Sequence, residues 1–589
     1  MADSTPAAPR APQGSFPGSG TAAISGLGMT SLGRVYGSTP RRLAASAVRL
    51  AAADAGLPLA DLDGLLICPG ISGGLDVGLA AVLGLRDLSL LAVVSSFGAS
   101  AVTAVQLAAQ AVTSGTARAV ACVFADTPLR EGVPAGSAFG SHGSHGTGAG
   151  APPERHGLSG LAAGYGFRSV NVYYALAARR HMLAYGTTSE QLGAVAVSQR
   201  QWAGGNPAAQ YREPITLADH QSSRWVAEPL HLLDCSLVSN GAIAVIVTSA
   251  RAAAAGPRPP VHVWGWGQGH PGQPMARGSE FGLRTGAVQA GRAAMDMARV
   301  GPANVTMAQI YDCYTYTVLV TLEDYGFCGK GEGGPFAASG ALGPDGSLPV
   351  NTGGGQLSGY YMWGFTPLSE AVIQARGEGG DRQSAATDVI LVSGNGGILA
   401  HHGTLIVSPH PPRPASPART ASPARTPVPA TLAGQAAPAP AEPPAPQIVL
   451  AGQDDIGIIR ADSRSEPFFA AAAAGRLLIR RCDADGTWLP PTASGCPDCG
   501  ADAADLSWAT AAGRGTLVSW SIVHPRSGGP VAVPALVELE EGPWLSAGLR
   551  LDDPAGLAGL RAGLPVTAVF EAPSQGAAYP LFRLAGSPG

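Results

Sequence analysis

The sequence predicts a layered α/β domain with buried sheets, followed by a small, largely antiparallel β domain. Three observations predict it. Apolar runs of strand length alternate with helical patterns through the first 409 residues, as in layered α/β architecture. A Pro/Ala-rich segment then interrupts the chain, and short alternating apolar segments follow it. The length, 589 residues, exceeds the roughly 250–300 residues at which single cores usually divide.

The elements can be justified in chain order. Residues 1–21, rich in Pro, Gly and Ser, are expected to be disordered and contain no apolar core of signal-peptide length. The Ala-rich stretch 99–113 predicts a helix, and "ARAVACVFAD" (117–126) a buried strand. The Gly/His-rich segment 136–157 reads as a loop insertion, its histidines too irregularly framed to be metal ligands. Thr188, with Gln191 three residues on, forms a capping box that starts a helix. "AIAVIVTSA" (242–250) and "DVILVSGNGG" (388–397) predict further buried strands ending in small residues.

Residues 410–447 form the linker. Between 411 and 446 it contains 12 prolines and the hexad "ASPART" twice in succession. Such a segment buries no core and reads as a semi-rigid spacer, with a reach on the order of 100 Å when extended. Residues 22–409 are thus the first domain. Residues 448–508 combine a helix with a zinc-ribbon-like pattern, and 509–587 alternate as a small barrel. In the ribbon, Cys496 and Cys499 form a C-x-x-C knuckle, opposed by Cys482 and Asp485 where a second cysteine pair is expected. Zinc accepts a carboxylate oxygen, so Cys482, Asp485, Cys496 and Cys499 can form a Cys₃Asp structural site. The alternative is a relic ribbon that packs without metal.

Composition narrows the function. A net charge of −4 gives no electrostatic case for a nucleic-acid or membrane partner, and no segment has the length and apolarity of a membrane span. Five of the eight cysteines are scattered, which predicts a reducing, cytoplasmic setting. In this second domain Trp508, Trp520 and Trp544 come with few basic residues, unlike a nucleic-acid groove.

Four ordered stretches across 22–409 resemble the thiolase superfamily, in its lipid-transfer-protein or sterol-carrier-protein-X branch. Residues 179–209 ("RRHMLAYGTTSEQLGAVAVSQRQWAGGNPAA") resemble its mid-domain helix, and 228–250 ("EPLHLLDCSLVSNGAIAVIVTSA") its "PL…LDC…DGAAAVV" strand. Residues 311–336, opening "YDCYTYT", are similar to the segment carrying "HDCFS", and 350–364 ("VNTGGGQLSGYYMWG") to "NPSGG…KGHPLG". The resemblance implies a five-layer fold of two repeated five-stranded halves, a homodimer formed through this domain, and an acyl-CoA thioester as substrate.

The departures define the chemistry. A thiolase requires a cysteine at a helix start, where the N-terminal N–H groups favour the thiolate. The matching position is Gly98, and no cysteine lies in 69–121. Ser95, Ser96 or Ser100 could substitute as nucleophile, although nothing places a base beside them. The two family histidines correspond to Tyr311 and Tyr361. This double replacement resembles the thiolase-fold aldolases of bacterial sterol side-chain breakdown, which are associated with two catalytic tyrosines. The implied reaction is retro-aldol cleavage of a β-hydroxyacyl-CoA, steroid-like in its side chain, to a ketone and a short acyl-CoA such as propionyl-CoA.

Tyr311 and Tyr361 could move the protons, provided one phenol is lowered from about 10 toward working pH. Asp312 could orient Tyr311 or cap a turn. Backbone N–H groups around Asn395, Gly396 and Gly397, with Gly98 and His401 nearby, are the candidate enolate and substrate site. Tyr314, Tyr316, Tyr360 and Cys313 read as packing. The ribbon and barrel resemble the acyl-CoA-associated OB-fold family that often partners thiolase-like proteins, so the fusion implies a pair tethered in cis. The competing functions are an acyltransferase or condensing enzyme with another nucleophile, and a non-catalytic acyl-CoA-binding scaffold that docks a partner enoyl-CoA hydratase.

Overall fold

The computed structural model describes residues 21–137, 153–272, 275–412, 448–526 and 528–585. The N-terminal segment, most of the Gly/His-rich insertion and most of the linker lie outside the described residues.

The first domain is organised by nine strands, β1 (Ala22–Met29), β2 (Gly64–Pro69), β3 (Leu90–Val93), β4 (Ala119–Asp126), β5 (Gly241–Ser249), β6 (Val261–Gly269), β7 (Met307–Gln309), β8 (Ile390–Gly396) and β9 (His401–Ser408). Their order is β7-β8-β9-β6-β1-β5-β4-β2-β3. All eight residues of β4 are buried, which explains its unbroken apolar run. The halves meet where β1 and β6 pair antiparallel through Ala23–His262 and Ile24–Val261.

The first half has five strands, as expected, whereas the second has four among the described residues. The fifth is reduced to a single parallel bridge from Val350 to Ala308. Pro349 before it has no N–H to donate, and Asn351 after it turns into the left-handed region at φ 54°. A ladder cannot extend on either side.

Seven helices matter for the site: α1 (Pro40–Asp54), α2 (Ser100–Ser114), α3 (Val170–Tyr185), α4 (Ser189–Gly204), α5 (Ala287–Ala298), α6 (Thr315–Asp324) and α7 (Phe365–Ala375). Helices α1 and α5 cover the outer faces, while α2 and α7 pack against strands of both halves. This is the five-layer arrangement. Helix α2 fits the central layer because Ala101, Ala104, Ala108 and Ala109 are buried and small enough to let both sheets approach. The Thr188–Gln191 capping box forms at the start of α4, with both reciprocal hydrogen bonds present.

In the second domain, helices Gln453–Ile456 and Glu466–Ala473 precede a three-stranded ribbon sheet, β10 (Leu478–Cys482), β11 (Trp488–Leu489) and β12 (Leu506–Thr510), in the order β11-β10-β12. The expected boundary after residue 508 falls inside β12, because Leu478 pairs with Thr510. The barrel follows as β13 (Arg514–Trp520), β14 (Pro534–Leu539), β15 (Trp544–Gly548), β16 (Pro565–Glu571) and β17 (Tyr579–Leu584), in the order β15-β14-β13-β16-β17. It docks on the first domain: Tyr165, Phe167 and Tyr174 share one apolar core with Trp520, Tyr579 and Phe582. A short strand, Ile458–Arg460, also pairs parallel with Glu154–His156.

Candidate active site

The loop after β7 carries Tyr311 and Asp312 into α6. The loop before α7 contains a five-residue π-helical turn, Gly355–Gly359, and then Tyr360 and Tyr361. The fold brings these loops together, and the hydroxyls of Tyr311 and Tyr361 stand 3.3 Å apart. The other tyrosines are anchors. Tyr314 donates to Asn171 Oδ1 at 2.6 Å, and Tyr316 to the Gly282 carbonyl at 2.9 Å. Tyr360 shares a 3.0 Å hydrogen bond with Ser369.

Gly98 lies directly against the pair. A Cβ at this position would fall 2.3 Å from Tyr311 ring carbons and 2.1 Å from the Asn395 carbonyl oxygen. The Tyr311 ring therefore occupies the space a nucleophilic side chain needs. The apex of the strand-to-helix turn is Phe97, whose backbone is left-handed at φ 53°. Neither apex nor neighbour offers a nucleophile. Ser100 is buried and its Oγ accepts from the Ser96 N–H at 2.8 Å, so its hydroxyl serves the turn.

Asp312 is fully buried and accepts from Gln356 N, Gln356 Nε2 and Leu357 N. Of its two expected roles this is the turn cap: it ties Tyr311's loop to the turn leading to Tyr361. Burial, opposed by these N–H donors, pushes its carboxyl up to about 7. The condition that one phenol be lowered runs against the direction of both shifts. Burial in an apolar surround raises Tyr311 well above the usual value and raises Tyr361 too, so both rest protonated at neutral pH.

Gly394, Asn395 and Gly396 pair in register with Gly403, His402 and His401 of β9, and Gly397 turns the chain at φ 61°. The Asn395 side chain is buried with both amide atoms lacking a protein partner. His401 stacks on Phe97 at 6.4 Å between centroids, and its Nδ1 lies 3.1 Å from His270 Nδ1. Burial, then the neighbouring His270, hold His401 below its ordinary range.

Several participants escaped sequence reasoning. Phe97 stands half exposed (50%) and packs on Trp363 at 6.1 Å, and Trp363 in turn packs on Phe124 at 5.2 Å. Trp363 is also left-handed, at φ 49°. Such backbone strain concentrates at functional sites, but no local pattern marks it. Trp363, two residues beyond Tyr361, was the one visible signal. Tyr174 packs on Tyr314 at 4.5 Å.

In the ribbon, Cys482 Sγ and Cys499 Sγ lie 3.5 Å apart, and Cys496 Sγ lies 3.4 Å from Asp485 Oδ2. All four ligand atoms fall within 4.8 Å of one another, a group that could hold a metal ion. Metal–sulfur bonds of about 2.3 Å in a tetrahedron put sulfurs about 3.7 Å apart, so the set fits zinc.

Comparison with known proteins bears on this geometry. Residues 267–409 match the family model "Thiolase C-terminal domain-like", and 508–571 match "ChsH2, C-terminal OB-fold domain". The chain is 36% identical over 386 residues to a steroid side-chain-cleaving aldolase of Thermomonospora curvata, covering 64% of this chain and 96% of that protein. The chain belongs to the thiolase-like steroid side-chain-cleaving aldolase family. The chain is also 37% identical over 392 residues to the 17-hydroxy-3-oxo-4-pregnene-20-carboxyl-CoA lyase of Mycobacterium tuberculosis, covering 64% of this chain and 97% of the relative. A solved Ltp2-ChsH2(DUF35) aldolase matches with TM-score 0.58 and 35% identity, over 67% of this chain and 99% of its own. A monomeric SCP2-thiolase-like protein from Mycobacterium smegmatis, at 15% identity and TM-score 0.60, spans 95% of this aldolase and shows the fold alone. Of the two relatives named above, one is an aldolase and the other a carboxyl-CoA lyase, and this chain is a lyase-type enzyme. Among the described residues, no helix is long and apolar enough to cross a membrane.

Proposed function

We propose that this aldolase cleaves a β-hydroxyacyl-CoA with a steroid-like body, giving a ketone and a short acyl-CoA such as propionyl-CoA. The observation that carries the reading is the Tyr311–Tyr361 hydroxyl pair set against Gly98, where no nucleophile fits. Because burial keeps both phenols protonated, neither waits as a phenolate. The reading is a concerted relay: as the bond between carbinol carbon and α-carbon breaks, one phenol oxygen takes the substrate's hydroxyl proton while handing its own O–H proton to the other phenol. The bonding electrons pass to the thioester as an enolate, and in the same transfer the second phenol gives its O–H proton to the α-carbon, so neither phenol carries two protons. One proton enters and one leaves, so no covalent intermediate is needed. The unpartnered Asn395 amide and the backbone at Gly396 and Gly397 are suited to hold the enolate oxygen. Asp312 positions rather than reacts.

The test is incubation with a β-hydroxyacyl-CoA, following ketone and shortened acyl-CoA by mass spectrometry. A trapped acyl-enzyme would instead favour the acyltransferase. Phe97, Trp363 and His401 form an aromatic wall beside the tyrosines, which supports a flat, apolar substrate body. Phe97→Ala is expected to raise KM for a polycyclic substrate roughly tenfold and leave an acyclic one within about threefold, in steady-state kinetics.

A zinc ion held by Cys482, Asp485, Cys496 and Cys499 would lock the ribbon. About one zinc per chain is expected by metal analysis, and chelation is expected to lower the thermal midpoint. The homodimer is supported by β3, which ends the sheet with unpaired backbone and exposes Leu91 and Val93. A β-hydroxyacyl-CoA arises by hydration of an enoyl-CoA, so a hydratase is the reaction class that supplies this substrate. All eight cysteines are unpaired, as suits the cytoplasm.

A further inference from the structure

Two connections run from the barrel to the loops that carry the tyrosines. The first is α3. On its barrel side the Leu176 carbonyl accepts from Ser519 Oγ at 2.8 Å. The Arg179 guanidinium lies 5.0 Å from the Trp520 ring centre, and that of Arg180 lies 4.9 Å from Trp544. On its other side Asn171 and Tyr174 hold Tyr314, and His181 pairs with Glu323 of α6 at 3.0 Å. Tyr314 and α6, which follow Tyr311 and Asp312, are thus held by a helix the barrel grips.

The second connection is the strap 227–239. At its start Glu228 pairs with His524 at 2.7 Å and its N–H donates to the Ile522 carbonyl at 2.9 Å. Further along, Asp234 accepts from Thr315 at 2.6 Å, and Ser236 N donates to the Cys313 carbonyl at 3.0 Å. The strap then reaches the other loop: Leu237 N donates to Gln356 O at 2.9 Å, and Ser239 Oγ accepts from Tyr361 N at 2.9 Å. One continuous segment therefore touches the barrel, the Tyr311 loop and the Tyr361 loop.

We infer that the barrel is a positioning element of the catalytic site, setting the Tyr311–Tyr361 separation through α3 and the strap, with Ser519, Trp520 and His524 as its contact residues. This rests on the two-tyrosine reading above. It gives the second domain a role that does not require it to touch substrate. The ordering of reacting groups is sensitive, since a misplacement of about 1 Å can cost roughly a hundredfold in rate.

The test uses the full chain with Ser519→Ala, Trp520→Leu, Trp520→Phe and His524→Gln. Ser519→Ala, Trp520→Leu and His524→Gln are expected to lower kcat about tenfold or more, with KM within about threefold and most protein still folded by circular dichroism. Trp520→Phe, which keeps a ring under Arg179, is expected to recover most of the rate. Arg514→Ala, which removes an exposed pair with Glu540, is the control and leaves kcat unchanged. The inference is overturned if kcat is unaffected, if KM rises in place of the fall in kcat, or if kcat falls only in step with the folded fraction. It is also overturned if Trp520→Phe is as impaired as Trp520→Leu. A wild-type chain that cleaves no β-hydroxyacyl-CoA would sink the underlying function instead, and active wild type with dead tyrosine variants isolates the barrel's role.

Discussion

Replacing Tyr311 or Tyr361 by Phe lowers kcat for β-hydroxyacyl-CoA cleavage by about 10²- to 10⁴-fold, the range of a lost proton-transfer group. Each change removes one oxygen and keeps the ring, so the packing that buries Tyr311 (4% exposed) persists. KM should move little, because the phenols act on protons that shift only during bond cleavage. The double variant is expected to be scarcely slower than the worse single one, since the hydroxyls at 3.3 Å act as one relay. Steady-state kinetics on all three variants, with thermal melts alongside, check this. Retained turnover in both single variants would remove the tyrosines from the mechanism.

Gly98→Cys is expected to abolish cleavage and to gain no acyl transfer. The substitution restores a thiolase-like residue in sequence but not in space. Its Cβ would sit 2.1 Å from the Asn395 carbonyl oxygen, which is backbone, and 2.3 Å from the Tyr311 ring. Gly364 closes the other side, a Cβ there falling 2.3 Å from the Gly98 carbonyl. Neither neighbour can yield without moving β8 or the phenol, so a loss of about 3 kcal/mol is expected, at the upper end for overpacking. Gly98→Ala should behave the same way, which separates sterics from thiol chemistry. Thermal unfolding, cleavage assays and mass spectrometry for an acyl adduct check both variants. An acylated, well-folded Gly98→Cys enzyme would mean that the space beside Tyr311 is larger than the backbone allows.

These two results depend on facts of different origin. That residues 311 and 361 are tyrosines, and that residue 98 is not a cysteine, is plain from ordered motifs in the chain. That the tyrosines meet, and that one of them fills the vacant nucleophile space, is a matter of how two loops fold over a helix start. The division repeats elsewhere. The strand at 119–126 was legible because a strand buried on both faces must be apolar throughout. The reduction of the second half's fifth strand to the single Val350–Ala308 bridge was not, because Pro349 and Asn351 act only against a neighbouring strand.

The sequence by itself determined the alternation of helices and buried strands, the presence of a C-terminal OB-fold domain, the Cys482, Asp485, Cys496 and Cys499 set of the ribbon and the two tyrosines in place of histidines. Each is encoded locally, in periodicity, capping, spacing or residue type. Only the tertiary structure decided that both phenols are raised rather than lowered, because a pKa is set by the burial and neighbours of the folded site. Only it decided that Asp312 caps the turn before Tyr361, and that the barrel reaches both catalytic loops through α3 and the strap. Those contacts join residues far apart in the chain, such as Leu176 with Ser519 and Glu228 with His524. Nothing in the spacing of such residues reports their distance, because packing alone brings them together.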